Sequence, residues 1–409
     1  MTTFLWVLFA LYATIVIRWA LGIREITRSP IDQMRLMALP ERAAKPADPS
    51  LTVLIAAHNE GDNIAACLNR LRQQNYLLHQ IIVIDDRSRD STGQIVAGMA
   101  AEDARIRLVT VDHLPDGWIG KTHALARGAA HATGDYLLFI DSDVTLKPGA
   151  IAAVMEKVAA DNVDFLTLWP RLGLRSLADR ILVPAAGWLL SFWSWTDVPR
   201  GAAAPGASTE PIMGNGQFLL VRRDAYFRIG GHDAVRAELA EDAMLAMNAF
   251  RAGLKRWVGL GVGIYVASRN STFSRCANGL ARVIIGSLVV PWKVLVSTQI
   301  VLGGCVTPFW IAPLAALMLY LGADPLLCWA WIAASVAHVA AMFATLQRLF
   351  EFTMEERGSL WWFPIGCICT VYVLLWSLLI MTGRGTIRWG ATRYTVQGSR
   401  ILAPLPETA

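Results

Sequence analysis

The spacing of apolar positions changes character three times along the chain. An unbroken apolar run opens it, "FLWVLFALYATIVIRWALGI" from Phe4 to Ile23, about 20 residues and long enough for one crossing of a bilayer, with Arg18 near its inner end. From residue 51 short β-rich runs alternate with helical segments: "LTVLIAA", then 62–74; "QIIVIDD", then 90–100; "IRLVTV", then 121–132; "DYLLFID", then 148–160; "VDFLTL". Near-continuous apolar strands in such alternation predict a parallel sheet covered by helices on both faces. Long apolar runs return at 299–321, 325–346 and 360–381, and these read as three further crossings.

Between the two regimes the pattern is mixed. Residues 211–233 read as a glycine-rich loop, a strand and a short helix closed by Gly230-Gly231; 237–253 read as a helix with an acidic first turn and Gly253 as its stop. Two strands follow near 255–258 and 262–267, and then 275–296, whose apolar face and scattered Arg and Lys predict a helix lying in the membrane interface. The tryptophan-rich, proline-broken stretch 179–195 fits either a surface dipping toward lipid or a buried core helix. The expected division is an anchor (1–24), a basic linker (25–49), one globular domain (50–274), an interfacial helix (275–298), three crossings (299–382) and a basic tail (383–409).

Composition agrees with residence in lipid. The 409 residues are 55% hydrophobic and 17% charged, with mean hydropathy +0.42. The opening run lacks the basic start and small-residue cleavage site of a signal peptide and reads as a retained anchor. Arg24, Arg28, Arg35, Arg42 and Lys45 follow it, which by the positive-inside rule places the domain in the cytoplasm and the protein in the inner membrane as a multi-pass chain. Three more crossings would then leave the tail outside, yet Arg384, Arg388, Arg393 and Arg400 make it basic; either one span is re-entrant or the tail is an exception. Four of six cysteines, Cys305, Cys328, Cys367 and Cys369, fall in apolar spans, so no zinc or disulfide framework is expected. The pI near 9.0 fits anionic headgroups, and no aromatic-basic motif points to nucleic acid.

In an open sheet of this kind ligands bind beyond the carboxyl ends of the strands. The residues there are His58-Asn59-Glu60, Asp85-Asp86 and Asp141-Ser142-Asp143. Acids gathered on one rim repel unless a cation neutralises them, and a divalent ion with a diphosphate is the usual partner of oxygen ligands. A lone D-x-D is ordinary turn chemistry. His58, His123, His131 and His232 show no ligand spacing and read as surface or loop histidines.

Taken together, "AAHNE", "VIDDRSRDST", "GKTHALARGAA", "GDYLLFIDSDV", "GNGQFLLVRRDAYFRIGGHD" and "LAEDAMLAM" resemble, in order and spacing, the family 2 inverting glycosyltransferases with the GT-A fold. The resemblance covers roughly residues 50 to 270. One anchor before the domain and spans after it resemble the membrane branch that includes ceramide, carotenoid and hopanoid-associated glycosyltransferases. It implies an α/β fold, a GT-A Rossmann-like mixed sheet flanked by helices, with transmembrane helices at both ends. It also implies a nucleotide-diphosphate sugar donor, a UDP-sugar first, held by Asn59, Glu60, Asp85, Asp86, Lys121 and Asp141, with Mg2+ or Mn2+ on Asp143. The base that takes the acceptor's proton would be Asp242 of the Glu241-Asp242 pair, with Gly214, Gly216 and Gln217 in the loop near sugar and acceptor.

Ala56 stands where the family has proline. At residue level Asp85 also fits a helix N-cap, Lys121 a solvated lysine, and the acidic pair an ordinary first turn favoured by the helix dipole. The dipole argues that Asp242 is ionised and only weakly basic. The stretch "NSTFSRCANGLARVIIG" lacks the Q-x-x-R-W of processive synthases, so one sugar per acceptor is expected, delivered to the hydroxyl of a membrane lipid such as a hopanoid, carotenoid, sphingolipid or glycerolipid. A polyprenyl-phosphate sugar synthase is the alternative, with Arg222, Arg223 and Arg228 as a basic mouth; a non-catalytic nucleotide-sugar-binding membrane protein is another.

Overall fold

The computed structural model describes residues 2–28, 34–41, 45, 48–196, 212–389 and 392–405; Arg42, Pro211 and residues 406–409, on which expectations fall, lie outside that set. The opening run forms α1 (Thr2–Arg28), long and apolar enough to cross a membrane. The alternating runs become β1 (Leu51–Ala57), α2 (Ile64–Arg72), β2 (Leu78–Asp86), α3 (Thr92–Glu102), β3 (Ile106–Val111), α4 (Gly120–Ala129), β4 (Tyr136–Ile140), β5 (Val144–Leu146), α5 (Ala150–Asp161) and β6 (Phe165–Trp169). After them come β7 (Leu172–Leu174), α6 (Leu177–Thr196), β8 (Phe218–Arg222), α7 (Arg223–Arg228), α8 (Glu241–Arg251), β9 (Arg256–Leu260) and β10 (Tyr265–Arg269).

Seven strands form the main sheet in the order β3-β2-β1-β4-β8-β6-β9. The sheet is mixed rather than wholly parallel, because β8 runs antiparallel to both β4 and β6. Strand direction depends on the path of the connection, which apolar periodicity does not encode. Alternate residues of β1 serve opposite faces: Val53 and Ile55 pack with Ile64 of α2 and Ile151 of α5, while Leu54 packs with Leu125 of α4 and Leu245 of α8. Burying one such side chain contributes about 1.5–3 kcal/mol, so both faces resist a slip in register. The chain leaves β4 at Ile140 and enters β5 at Val144, which belongs to a second sheet, β5-β10-β7. Residues 141–143 are therefore the joint between two sheets.

The second half holds α9 (Phe273–Leu288), α10 (Pro291–Val301), a π-helical turn Leu302–Val306, α11 (Pro308–Tyr320), α12 (Pro325–Thr353) and α13 (Phe363–Met381). The expected interfacial helix is thus two helices meeting at 117°. Protein covers much of the apolar face of α9: Leu280, Ile284 and Ile285 pack in one core with Leu182 and Leu189 of α6 and Leu374 of α13. The same contacts give α6 the core role for 179–195.

The expected span 299–321 is also not one helix. Pro308 has no N–H for the carbonyl of Gly304, four residues back. That carbonyl instead accepts from Trp19 Nε1 of α1 at 2.9 Å and engages His338 Nε2 of α12 at 3.0 Å. Among the described residues the single helices long and apolar enough to cross are α1, α12 and the segment 358–381 that ends in α13, and the bent pair over 273–306 is a fourth if it counts as one span.

The tail departs most from expectation. It folds into an antiparallel sheet of β11 (Thr386–Trp389), β12 (Thr392–Gln397) and β13 (Arg400–Leu405). Ile401 N donates to the Ala237 carbonyl at 3.1 Å, Leu239 N donates to the Ser399 carbonyl at 3.4 Å, and Arg400 pairs with Glu238 at 2.6 Å. The basic tail lies on the domain rather than across a membrane from it.

Candidate active site

The carboxyl ends of β1, β2 and β4 open on a cleft of about 290 Å³, at the lower end of small-molecule sites. His58, Glu60, Asp86, Lys121, Asp141 and Asp143 line its domain side. Its other side comes from the expected interfacial helix and the basic tail: Arg282 of α9, Trp389 of β11, and Thr392 and Tyr394 of β12.

Asp141 and Asp143 both face the cleft, with the buried Ser142 between them. Asp143 Oδ1 is buried and has no hydrogen-bond partner. Burial and then the charge of Asp141 push the Asp143 carboxyl up to about 7, against the opposing pull of Arg269 and Lys121. A half-buried acid with a buried, orphaned oxygen beside a second acid is a site that a divalent cation would satisfy, and hard oxygen donors fit Mg2+ or Mn2+. Among the described residues no three His, Cys, Asp or Glu side chains gather as a protein-only metal cage, so such an ion would draw its remaining ligands from substrate or water.

Lys121 sits in the first turn of α4. Its ammonium lies 2.7 Å from Asp141 and 3.2 Å from Glu241. Burial works against its charge, but Asp141 and Glu241 outweigh burial and hold its pKa well above the ordinary lysine value. It is not a solvated lysine. The single cation ties the D-x-D joint to the start of α8.

Asp242, next along α8, has its carboxylate fixed by two backbone donors, Gly216 N to Oδ2 at 2.7 Å and its neighbour Ala243 N to Oδ1 at 2.8 Å. Burial first, and the charge of Glu241 second, push its pKa up to about 6. The shift is upward, opposite to what a helix dipole alone implies, because desolvation and a like charge exceed the pull of Lys121 and of the two backbone donors. The result is a carboxylate that is ionised at neutral pH and basic enough to take a proton.

The other expected residues have structural partners. Asn59 adopts φ 56°, and its side chain accepts from Arg89 N while its own N–H donates to Ser88, stitching the loop after β1 to the loop after β2. Asp85 accepts from Ser88 N at 3.2 Å; Asp86, on the cleft, is held by both nitrogens of a fork from Arg87 at 2.8 and 2.9 Å. The α3 start is stitched instead by Asp90, which accepts from Thr92 and Gly61. A Cβ on Gly214 would meet the Asp242 carbonyl oxygen at 1.9 Å, so this glycine lets the loop lie against α8. Gln217, half-buried, donates its backbone N–H to Asn215. His123 and His232, expected at the surface, are buried, and His232 bonds the Tyr226 hydroxyl at 2.8 Å. Arg222 pairs in register with Tyr136 at the start of β4, the end opposite Asp141, so Arg222 and Arg223 do not form a mouth to this cleft.

Residues 52–185 match the family model described as glycosyl transferase family 2. A 4,4'-diaponeurosporenoate glycosyltransferase of Staphylococcus haemolyticus is 36% identical over 111 residues, 27% of this chain and 28% of that protein. The succinoglycan biosynthesis protein ExoO of Rhizobium meliloti is 30% identical over 127 residues, 29% of this chain and 35% of that protein. The chain thus aligns with 28% and 35% of the length of these two relatives. A mannosyltransferase from Pyrobaculum calidifontis, solved in complex with GDP-Man and Mn2+, superposes with TM-score 0.51 over 82% of this chain and 96% of that one at 17% identity, a likeness of fold. The mixed sheet and its flanking helices have the GT-A arrangement.

Proposed function

We propose, from the family 2 glycosyl transferase domain that residues 52–185 carry, that the protein is a hexosyltransferase moving one sugar, with inversion, from a nucleotide-diphosphate sugar to the hydroxyl of a membrane lipid. The observation that carries this reading is the Lys121 bridge, 2.7 Å to Asp141 and 3.2 Å to Glu241, which makes the acidic rim and Asp242 one site. The cleft beyond the strand ends takes the donor, with Asp86 and Glu60 toward the nucleoside and Asp141 toward its ribose or sugar.

The acceptor hydroxyl gives its proton to the Asp242 carboxylate as its oxygen attacks the anomeric carbon, while the bond from that carbon to the diphosphate breaks on the opposite face. The N–H groups of Gly216 and Ala243 fix the plane of that carboxylate and leave each oxygen a further lone pair. Lys121, Arg282 and the N-terminal end of α4 face the charge that develops on the leaving diphosphate. Asp143, with Asp141 beside it, would hold Mg2+ or Mn2+, whose contribution when bound is neutralisation of that diphosphate.

Two observations support a lipid acceptor. One relative is named for 4,4'-diaponeurosporenoate, and α9, which brings Arg282 to the cleft, shares its core with α12 and α13. The basic linker residues Arg24, Arg28, Arg35 and Lys45 favour a domain facing the cytoplasm from the inner membrane. The test is to incubate membranes holding the protein with radiolabelled UDP- and GDP-sugars and Mn2+ or Mg2+, then extract with organic solvent. Label in the lipid phase that disappears with a chelator and with Asp242→Asn is the expected result. Label that persists in Asp242→Asn, or no labelled lipid with any donor, would overturn the reading.

A further inference from the structure

The domain alone does not close its own cleft. Opposite Asp86, Gly120 and Lys121 stand Trp389, Thr392 and Tyr394, all from the last strands of the chain. Tyr394 is buried and lines the cleft together with Thr392, Gly120 at the start of α4, Arg87 and Asp86. Trp389 lies under the guanidinium of Arg282, 4.0 Å from ring centroid to Cζ. Among the described residues that stacking is the contact that holds the Arg282 head, which has no carboxylate within ion-pair distance.

The wall is anchored at two sites. Strand β13 is hydrogen-bonded to Ala237 and flanked by the Leu239 to Ser399 bond, and Asn278 of α9 exchanges bonds with the backbone of Arg388 at 2.6 and 3.2 Å. Ile387, Tyr394, Val396 and Ile401 bury their side chains in the core shared with α9 and α13. A loose tail would make none of these contacts.

We infer that the C-terminal sheet is a fixed wall of the donor site, in which Tyr394 and Thr392 offer hydroxyls to the nucleoside diphosphate and Trp389 is a positioning residue that aims Arg282 at it. This rests on the donor reading of the cleft. A planar ring under a guanidinium keeps the cation in place without cancelling its charge, as a carboxylate would. It therefore stays available to an anion.

The experiment measures binding of UDP and of GDP, each with Mn2+, to the purified full chain in detergent, alongside donor KM and kcat for transfer. Losing the stacking contact releases an arginine side chain, an effect of about 0.5–2 kcal/mol, or roughly 2- to 30-fold in affinity. Trp389→Ala should therefore weaken nucleotide binding by about tenfold and raise donor KM in step, with kcat changed far less. Trp389→Phe should recover most of that loss, and Tyr394→Phe, which keeps the ring in its core, should weaken binding by several-fold. Gln397→Ala, on the exposed side of the same strand, is the control and should bind as the parent does. Parental affinity in both Trp389→Ala and Tyr394→Phe, or a loss in Trp389→Ala that Trp389→Phe does not recover, overturns the wall while leaving the transferase reading intact. A parent chain that binds neither nucleotide overturns both.

Discussion

At the scale of single residues, the site is organised by how charges are distributed between burial and partners. Asp242 is the clearest case. Its carboxyl titrates near 6 because burial and Glu241 disfavour the anion more than Lys121 favours it. A general base works only when ionised, so transfer should fall about tenfold per pH unit below about 6 and level off above it. Lys121→Met removes the opposing positive charge, and the acid limb of the kcat/KM profile should then move to higher pH. Asp242→Asn should lower kcat by about 10²- to 10⁴-fold while sparing nucleotide binding measured directly. Asp143→Asn should instead act on the ion, raising the Mn2+ concentration for half-maximal transfer by at least about tenfold.

Much of this was legible in the sequence because strand ends are, and Asp86, Asp141 and Asp143 follow from where the apolar runs of β2 and β4 stop. The proton affinity of Asp242 was not legible, since burial depends on what the whole fold places around it.

At the scale of elements, one loop and one helix start must fit each other. The glycine-rich loop before β8 lies so close to α8 that a Cβ on Gly214 would strike the Asp242 carbonyl oxygen at 1.9 Å and its carbon at 2.2 Å. Backbone atoms cannot swing aside as a side-chain end can. Gly214→Ala should therefore shift the loop and Asp242 together, costing about 10²-fold in kcat for a displacement near 1 Å. Gly98→Ala on α3, where a Cβ meets nothing within 4 Å, is the contrast: it should leave kcat unchanged and stabilise by about 0.5–1 kcal/mol in denaturant unfolding.

Element boundaries show the same limit of sequence patterning. The helix expected over 237–253 begins only at Glu241, because Ala237 to Leu239 are engaged by the tail sheet. That contact joins residues more than 150 positions apart, and no local periodicity reports it. The alternation in "TIRW" and "TRYTVQ" is the local signal for the tail strands, and it is short and interleaved with basic residues that equally suit a solvated tail.

At the scale of the whole molecule, the tail settles the parity of the chain. With β13 bonded to Ala237, the domain and the last strands share one side of any membrane the helices cross. The number of crossings between β10 and β11 is then even. The far end of α12 returns to the domain as well, where Glu355 N donates to the Leu172 carbonyl at 2.9 Å and Glu355 and Glu356 pair with Arg175. An epitope placed after Ala409 and one placed in the exposed turn near Asp116 should accordingly be reached by protease from the same face of sealed vesicles. Opposite-face accessibility would show that the sheet does not dock in the bilayer-embedded protein.

The docked sheet also orders events during synthesis. Trp389, Thr392 and Tyr394, which complete the cleft, leave the ribosome after every helix from α9 to α13 has been made. A domain still being translated has its acidic rim but only part of its cleft. The cleft is therefore complete only after the membrane segments have been delivered, and a chain released before β11 would carry Asp86, Asp141 and Asp143 without the wall that faces them.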